Sequence, residues 1–110
     1  STRNNGALPD LPEDVAVEVS SVMTAAGPKP IAFGKLNAAA RGYLQLMKAM
    51  EELTIEAAVT GDYGAALQAF TINPLVPAGN IAKDLLDEML IAHKEYLPQF
   101  KDSIEKIEKK

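Results

Sequence analysis

Hydrophobic and polar positions follow two different periods along this chain. From Val15 to Ser20 the period is two, with Val15, Val17 and Val19 alternating with Ala16, Glu18 and Ser20. Such alternation puts one set of side chains on each face of a half-buried strand, and the β-branched valines suit a pleated surface. The pattern predicts a strand through "VAVEVSSVM", a turn at "TAAGPKP" and a short returning strand at "IAFG". Pro28 and Pro30 have no N–H to donate and are expected to keep the turn out of the ladder. Ahead of the strand, residues 1–12 read as loop. Asn5-Gly6 is a turn signal, and Pro9 and Pro12 bias Leu8 and Leu11 toward extended backbone.

From Leu36 the spacing lengthens to three and four. Tyr43, Met47, Met50, Thr54 and Ala57 form one stripe, and Leu46, Met50, Leu53 and Ala57 a second that overlaps it. A helix with so wide an apolar face is expected to be buried on most sides. Asn37 is its expected N-cap and Gly61 its stop. Gly42, inside it, costs up to about 1 kcal/mol against alanine and is read as a close helix contact or a kink. Asp62 is placed to cap "YGAALQAF", which ends before Asn73-Pro74. Asn80 is the expected cap of "IAKDLLDEMLIAHKEYL", with Ile81, Leu85, Met89 and Tyr96 along its apolar side and Pro98 breaking it. Phe100, Ile104 and Ile107 keep helical spacing in the tail, so residues 101–110 are expected to be a short, fraying helix. Asp102 with Lys106 and Glu105 with Lys109 could pair there at i,i+4. The expected fold is α+β and mainly helical: a β-hairpin from an antiparallel sheet, then three to four packed helices, all in one domain spanning 1–110.

Composition narrows the function classes. The 110 residues are 47% hydrophobic and 24% charged, as in an ordinary folded domain. The formal net charge of −4 and the lack of any basic cluster interleaved with aromatics argue against nucleic acid as a partner. No run approaches the roughly 18 apolar residues that span a bilayer, so no membrane partner is expected. Cysteine is absent, which excludes disulfides and thiolate metal sites and fits a cytoplasmic location.

Chemistry is sparse. There is no GxGxxG and no GxxxxGK[ST], hence no glycine-rich phosphate cradle. The single histidine, His93, has no partner at metal-ligand spacing and reads as a packed or rim residue. Glu52 and Glu56 share a helix face, where a like-charge pair could raise a pKa, but a solvated face explains them as well. Ser20 and Ser21 lack the strand–turn–helix context of a nucleophile elbow. "RNNG" is the stretch that looks functional. Arg3, Asn4 and Asn5 gather many donors beside a turn, and an arginine fork suits carboxylate or phosphate. An ordinary surface turn is the competing reading. No complete set of catalytic, metal-ligating or cofactor-binding residues is present.

Three strings, "NNGALPDLPEDVAVEV", "LTIEAAVTGDYGAALQAFTINPLV" and "LLDEMLIAHKEYLPQF", together resemble the C-terminal part of family 4 glycoside hydrolases, most closely the 6-phospho-β-glucosidase subgroup. The match runs in register from about Arg3 to Phe100. Two positions depart from the family pattern: Ser20, where proline often follows "VEV", and Leu8, where isoleucine often follows "NNGA".

The resemblance implies an α+β half of a fold like that of the lactate and malate dehydrogenases. It implies a cytoplasmic enzyme that hydrolyses imported phosphorylated β-glucosides, such as cellobiose 6-phosphate, by oxidation and elimination. This NAD-dependent chemistry lies outside the usual two-carboxylate scheme. It further implies NAD and a divalent metal, usually manganese in this family, in the intact enzyme. No catalytic, metal or cofactor residue carries over, because the family's dinucleotide fingerprint, metal pair and catalytic tyrosine match nothing here; only Arg3, Asn4 and Asn5 are placed near a sugar pocket. The loop-like opening is expected because the chain is a piece of a larger enzyme, inactive alone, whose partners are its own N-terminal NAD-binding domain, the phosphorylated disaccharide and further copies of itself. A phospho-α-glycosidase of the same family, or a non-catalytic helical interaction module, are the alternatives.

Overall fold

Strands come first and helices follow in the computed structural model, which describes every residue from Ser1 to Lys110. The chain divides into two compact units, Ser1–Lys48 and Ala49–Lys110. The class is α+β and mainly helical, as the two periods predict.

In the first unit, β1 (Thr2–Arg3) pairs antiparallel with β2 (Ala16–Val17), Thr2 opposite Val17 and Arg3 opposite Ala16. The opening residues therefore include a strand where loop is expected. The "VAVEVSSVM" run is broken as well: after β2 the chain leaves the ladder and re-enters a second antiparallel pair as β3 (Ser21–Thr24). The alternation survives as burial. Val17 is buried and Val15 and Val19 pack against it together with Leu8, Leu11, Leu36 and Leu44, whereas Ala16, Glu18 and Ser20 are exposed.

The hairpin forms one step earlier than the pattern suggests. β4 is Gly27–Pro30, in register Ser21 to Pro30, Val22 to Lys29, Met23 to Pro28 and Thr24 to Gly27, and "IAFG" is not a strand. Both prolines sit inside the ladder. The reason is register: the Ile31 N–H donates to the Ser20 carbonyl at 2.8 Å, so the inward-donating positions of an antiparallel pair fall on every second residue before it, Lys29 and Gly27. Pro28 and Pro30 occupy the alternate positions, where no N–H is needed. Gly27, with φ +101, takes the left-handed backbone that ends the Ala25-Ala26 turn.

Helix α1 (Ala38–Thr60) begins and ends where its caps predict. The Asn37 side-chain oxygen accepts from the Ala40 N–H at 2.9 Å. Gly61, φ +74, closes the end by donating its N–H to the Ala57 carbonyl at 2.8 Å. A Cβ at Gly61 would lie 1.9 Å from the Gln99 carbonyl oxygen, so glycine is required there twice over. The expected burial of α1 is corrected: Ala57 is its one buried residue, and Tyr43, Ile55 and Val59 are 66%, 63% and 76% exposed. Gly42 faces open space rather than a neighbouring helix.

The second unit holds α2 (Tyr63–Ile72), α3 (Gly79–Ala92) and α4 (Lys101–Glu108), with two 3-10 turns, Lys94–Tyr96 and Pro98–Phe100, between the last two. Asp62 caps α2, its carboxylate accepting from the N–H groups of Gly64 at 2.7 Å and Ala65 at 3.1 Å. The core is Ala57, Ala65, Ala66, Leu86, Leu90, Phe100 and Ile104. Alanines on α2 let α3 approach closely, and each large side chain buried there contributes about 1.5–3 kcal/mol.

Three expectations for α3 change. Its N-cap is Ala78, with Asn80 already inside the first turn. It stops at Ala92, so Tyr96 lies in a 3-10 turn. Its buried row is Ala82, Leu86 and Leu90, while Ile81, Leu85 and Met89 remain 43%, 39% and 42% exposed. The two rows are one residue apart, about 100° around the axis, and each satisfies i,i+4 spacing, so periodicity alone does not choose between them. In the tail, Phe100 and Ile104 are buried, and the ion pair that forms is Lys94 Nζ to Glu108 Oε1 at 2.7 Å. No helix is long and apolar enough to cross a membrane.

Candidate functional site

The turn carrying Arg3, Asn4 and Asn5 is built around one buried amide. Arg3 ends β1 and Asn4 follows it, keeping the two-residue alternation of the strand, so Arg3 points to solvent and Asn4 inward, where it is 0% exposed. The Asn4 side-chain Nδ2 donates to the carbonyls of Leu8 at 2.9 Å, Leu11 at 3.1 Å and Pro12 at 2.9 Å, and its Oδ1 accepts from the Leu8 N–H at 2.8 Å. Two amide hydrogens serve three acceptors, so one is shared. This leaves no capacity for a ligand.

The backbone continues the ladder past β1. Asn4 N–H donates to the Val15 carbonyl and Asn5 N–H to the Glu13 carbonyl, both at 2.9 Å. Asn5, φ +46, and Gly6, φ +81, then reverse the chain, and the Ala7 N–H closes the turn onto the Asn4 carbonyl at 2.9 Å. Successive left-handed residues are the reason for the Asn-Gly pair. The loop is anchored further by Asp10: its carboxylate accepts from the Leu36 N–H and its carbonyl from Gln45 Nε2, each at 2.9 Å.

Of the three sequence candidates, then, Arg3 and Asn5 are exposed on either side of a rigid turn. Asn4 is spent on holding that turn in shape. Its inward direction follows from strand alternation, but β1 is too short for the sequence to reveal it.

The second unit contains a polar cluster that the sequence did not single out. Tyr63 at the start of α2 donates its hydroxyl to Asp87 Oδ1 on α3 at 2.6 Å, and Lys83 Nζ donates to the other oxygen of the same carboxylate. Burial, that hydrogen bond and the charges of Asp87 and Asp84 push the Tyr63 hydroxyl up to about 12. Burial alone would raise the Asp87 carboxyl, but the hydrogen bonds from Lys83 and Tyr63 outweigh it and hold it below its ordinary value. Lys83 and Asp87 are readable as an i,i+4 pair. Tyr63 is 24 residues away from Asp87, and only helix packing joins them.

His93 is exposed at the C-cap of α3, on the rim of an open apolar groove of about 460 Å³ that Phe70, Met89 and Leu97 also line. Glu52 and Glu56 are exposed on α1. No three histidine, cysteine, aspartate or glutamate side chains converge to hold a metal, and no glycine-rich strand-to-helix turn is present for a dinucleotide. The residues of this chain do not fit either group.

Comparison with known proteins adds the family. A family model described as the family 4 glycosyl hydrolase C-terminal domain matches residues 1–76. A probable 6-phospho-beta-glucosidase of Bacillus subtilis strain 168 is 59% identical over 105 residues, 96% of this chain and 24% of that protein. Among solved structures, a 6-phospho-alpha-glucosidase from gut microorganisms in complex with NAD and glucose-6-phosphate superposes with a TM-score of 0.85 at 38% identity, over 89% of this chain and 23% of its own. A second 6-phospho-alpha-glucosidase from gut microorganisms, in complex with NAD and Mn2+, gives a TM-score of 0.85 at 30% identity over the same shares. The chain thus spans about a quarter of the length of the curated relative it matches. With the family model covering more than half of the residues and the fold superposing over nearly all of them, this chain belongs to the C-terminal domain family of the family 4 glycosyl hydrolases.

Proposed function

We propose that the chain serves as the C-terminal domain of a 6-phospho-β-glucosidase, an enzyme that hydrolyses phosphorylated β-glucosides. The observation that carries this reading is the 59% identity over 105 residues to a protein of that name. In the intact enzyme NAD and a divalent metal, manganese by the relatives' chemistry, would supply the oxidation and the Lewis acid. Neither would be held by residues 1–110, because the donor sets are lacking here.

What this chain contributes is positional. Its helical unit is scaffold. Its N-terminal turn offers a wall to the sugar pocket, with the Arg3 guanidinium and the Asn5 amide as exposed donors and Asn4 as the residue that fixes both. An arginine fork matches a phosphate monoester. The exposed Val22, Met23, Ile55, Val59 and Tyr96 support contact with the rest of the enzyme and with further copies in a homo-oligomer. The cytoplasm is the proposed compartment, supported by the absence of cysteine. Identity of 38% to a 6-phospho-alpha-glucosidase supports the second reading, an α-linked phosphosugar as substrate.

The test is a chimera in which residues 1–110 replace the matching quarter of the Bacillus subtilis relative. It is expected to cleave a chromogenic 6-phospho-β-glucoside in the presence of NAD and manganese, in preference to the α anomer. Arg3→Ala in the chimera is expected to raise KM by about tenfold with little change in kcat, as for a lost uniform binding contact. The 110-residue chain alone is expected to show no turnover. Robust turnover by the chain alone, or an inactive chimera that is folded, would overturn the proposal.

A further inference from the structure

The structure assigns a spontaneous modification site to Asn5. The asparagines of this chain are Asn4, Asn5, Asn37, Asn73 and Asn80, and they differ in two features that govern loss of a side-chain amide: freedom of the amide itself and freedom of the next backbone nitrogen from hydrogen bonding and shielding.

Asn5 has both. Its side chain is exposed and makes no hydrogen bond, and it lies in left-handed backbone with φ +46. The next residue is Gly6, whose N–H has no acceptor and which carries no Cβ to shield it. A Cβ built at Gly6 would meet nothing within 4 Å beyond its chain neighbours, so the space beside the Gly6 Cα is open.

Every other asparagine lacks one feature or both. The Asn4 amide is fully engaged, and the nitrogen that would attack it, that of Asn5, is bonded to the Glu13 carbonyl at 2.9 Å. Asn37 Oδ1 is held by the Ala40 N–H at 2.9 Å. Asn73 precedes Pro74, which has no N–H, and its Oδ1 accepts from the Leu75 N–H at 2.9 Å. Asn80 lies within α3, where the backbone is helical and the next residue, Ile81, is β-branched.

The chemistry balances without a redox partner. The Gly6 nitrogen attacks the Asn5 side-chain carbonyl carbon. The new C–N bond closes a five-membered imide, the Gly6 N–H proton passes to solvent, and the side-chain nitrogen takes up a proton and leaves as ammonia. Water then opens the imide at one of its two carbonyls, giving aspartate or isoaspartate at position 5. Either product adds one negative charge to a chain of net charge −4. Isoaspartate also lengthens the main chain by one carbon inside the turn that the Ala7–Asn4 hydrogen bond closes.

The test is peptide mapping of the folded 110-residue chain, aged in mildly alkaline buffer, with fragmentation that separates Asn4 from Asn5 and enzymatic labelling of isoaspartate. Conversion at Asn5 is expected to run at least about tenfold faster than at Asn37, the unbonded Gly6 N–H and the missing Cβ after Asn5 being the cause. Asn5→Gln is expected to remove most of the isoaspartate signal while the circular dichroism stays unchanged. Conversion at Asn5 no faster than at Asn37, or an isoaspartate signal undiminished in Asn5→Gln, would overturn the assignment.

Discussion

The two units hold themselves together in different ways. Ser1–Lys48 is organised by directed polar bonds: two short strand pairs, a reverse turn and a buried asparagine whose amide joins three carbonyls and one N–H, with only Leu8, Leu11 and Val17 fully buried among its large apolar side chains. Ala49–Lys110 is organised by area. Leu86, Leu90, Phe100 and Ile104 are sealed among alanines, and its polar cluster at Asp87 sits at the edge of that core. Polar organisation fails sharply when one group is lost, because every partner is left unsatisfied. Apolar organisation fails in proportion to the volume removed.

That contrast sets the order of expected mutational effects. Asn4→Ala should be the most damaging single change, costing roughly 3–5 kcal/mol, since it strands several buried backbone groups at once. Hydrogen exchange should show the loss first in residues 4–15, and protection there equal to wild type would break the comparison. In the helical unit, Leu86→Ala should cost about 3 kcal/mol by leaving a cavity. Gly61→Ala should cost about 2 kcal/mol or more, through the left-handed backbone and the clash with the Gln99 carbonyl. Denaturant titration measures both.

Tyr63→Phe should be milder, about 1 kcal/mol for one hydrogen bond. Its pH signature is more telling. The hydroxyl is held up at about 12 when folded, above its ordinary value of 10.0, so the stabilisation is complete below the unfolded value and is lost as pH rises through the folded one. Asp87 is held low, so its contribution is present above the unfolded carboxylate value and disappears as pH falls through the depressed one. Thermal melts of wild type should therefore decline on the alkaline side, and Tyr63→Phe should flatten that limb. The smallest effect is expected from Glu108→Gln, which breaks an exposed pair with Lys94 and should leave the melting temperature within experimental error.

Much of the architecture could be read from local signals. Asn37, Gly61 and Asp62 mark helix ends because a cap acts over three or four residues, and the alternation of Val15, Val17 and Val19 reports burial directly. The errors share one origin. The hairpin register, the choice between the Ile81 and Ala82 rows of α3, and the exposure of α1 all depend on what lies opposite, which no local pattern contains. At the N-terminal turn, the Asn-Gly reversal was legible from residue type, whereas the inward direction of Asn4 was not. It required knowing that Asn4 directly follows a strand paired with residues more than ten positions later and continues its ladder.

Sequence by itself determined the passage from strands to helices, the helix ends at Asn37, Gly61 and Asp62 set by capping chemistry, the family, and the absence of any local metal or dinucleotide motif. These depend on side-chain chemistry acting over one turn of chain. Tertiary structure alone decided that Asn4 is structural while Arg3 and Asn5 face solvent, that Tyr63 meets Asp87, and which stripe of α3 is buried. The reason is physical: a side chain's partners across the core are fixed by the packing of elements far apart in the chain, and several packings satisfy the same local periodicity.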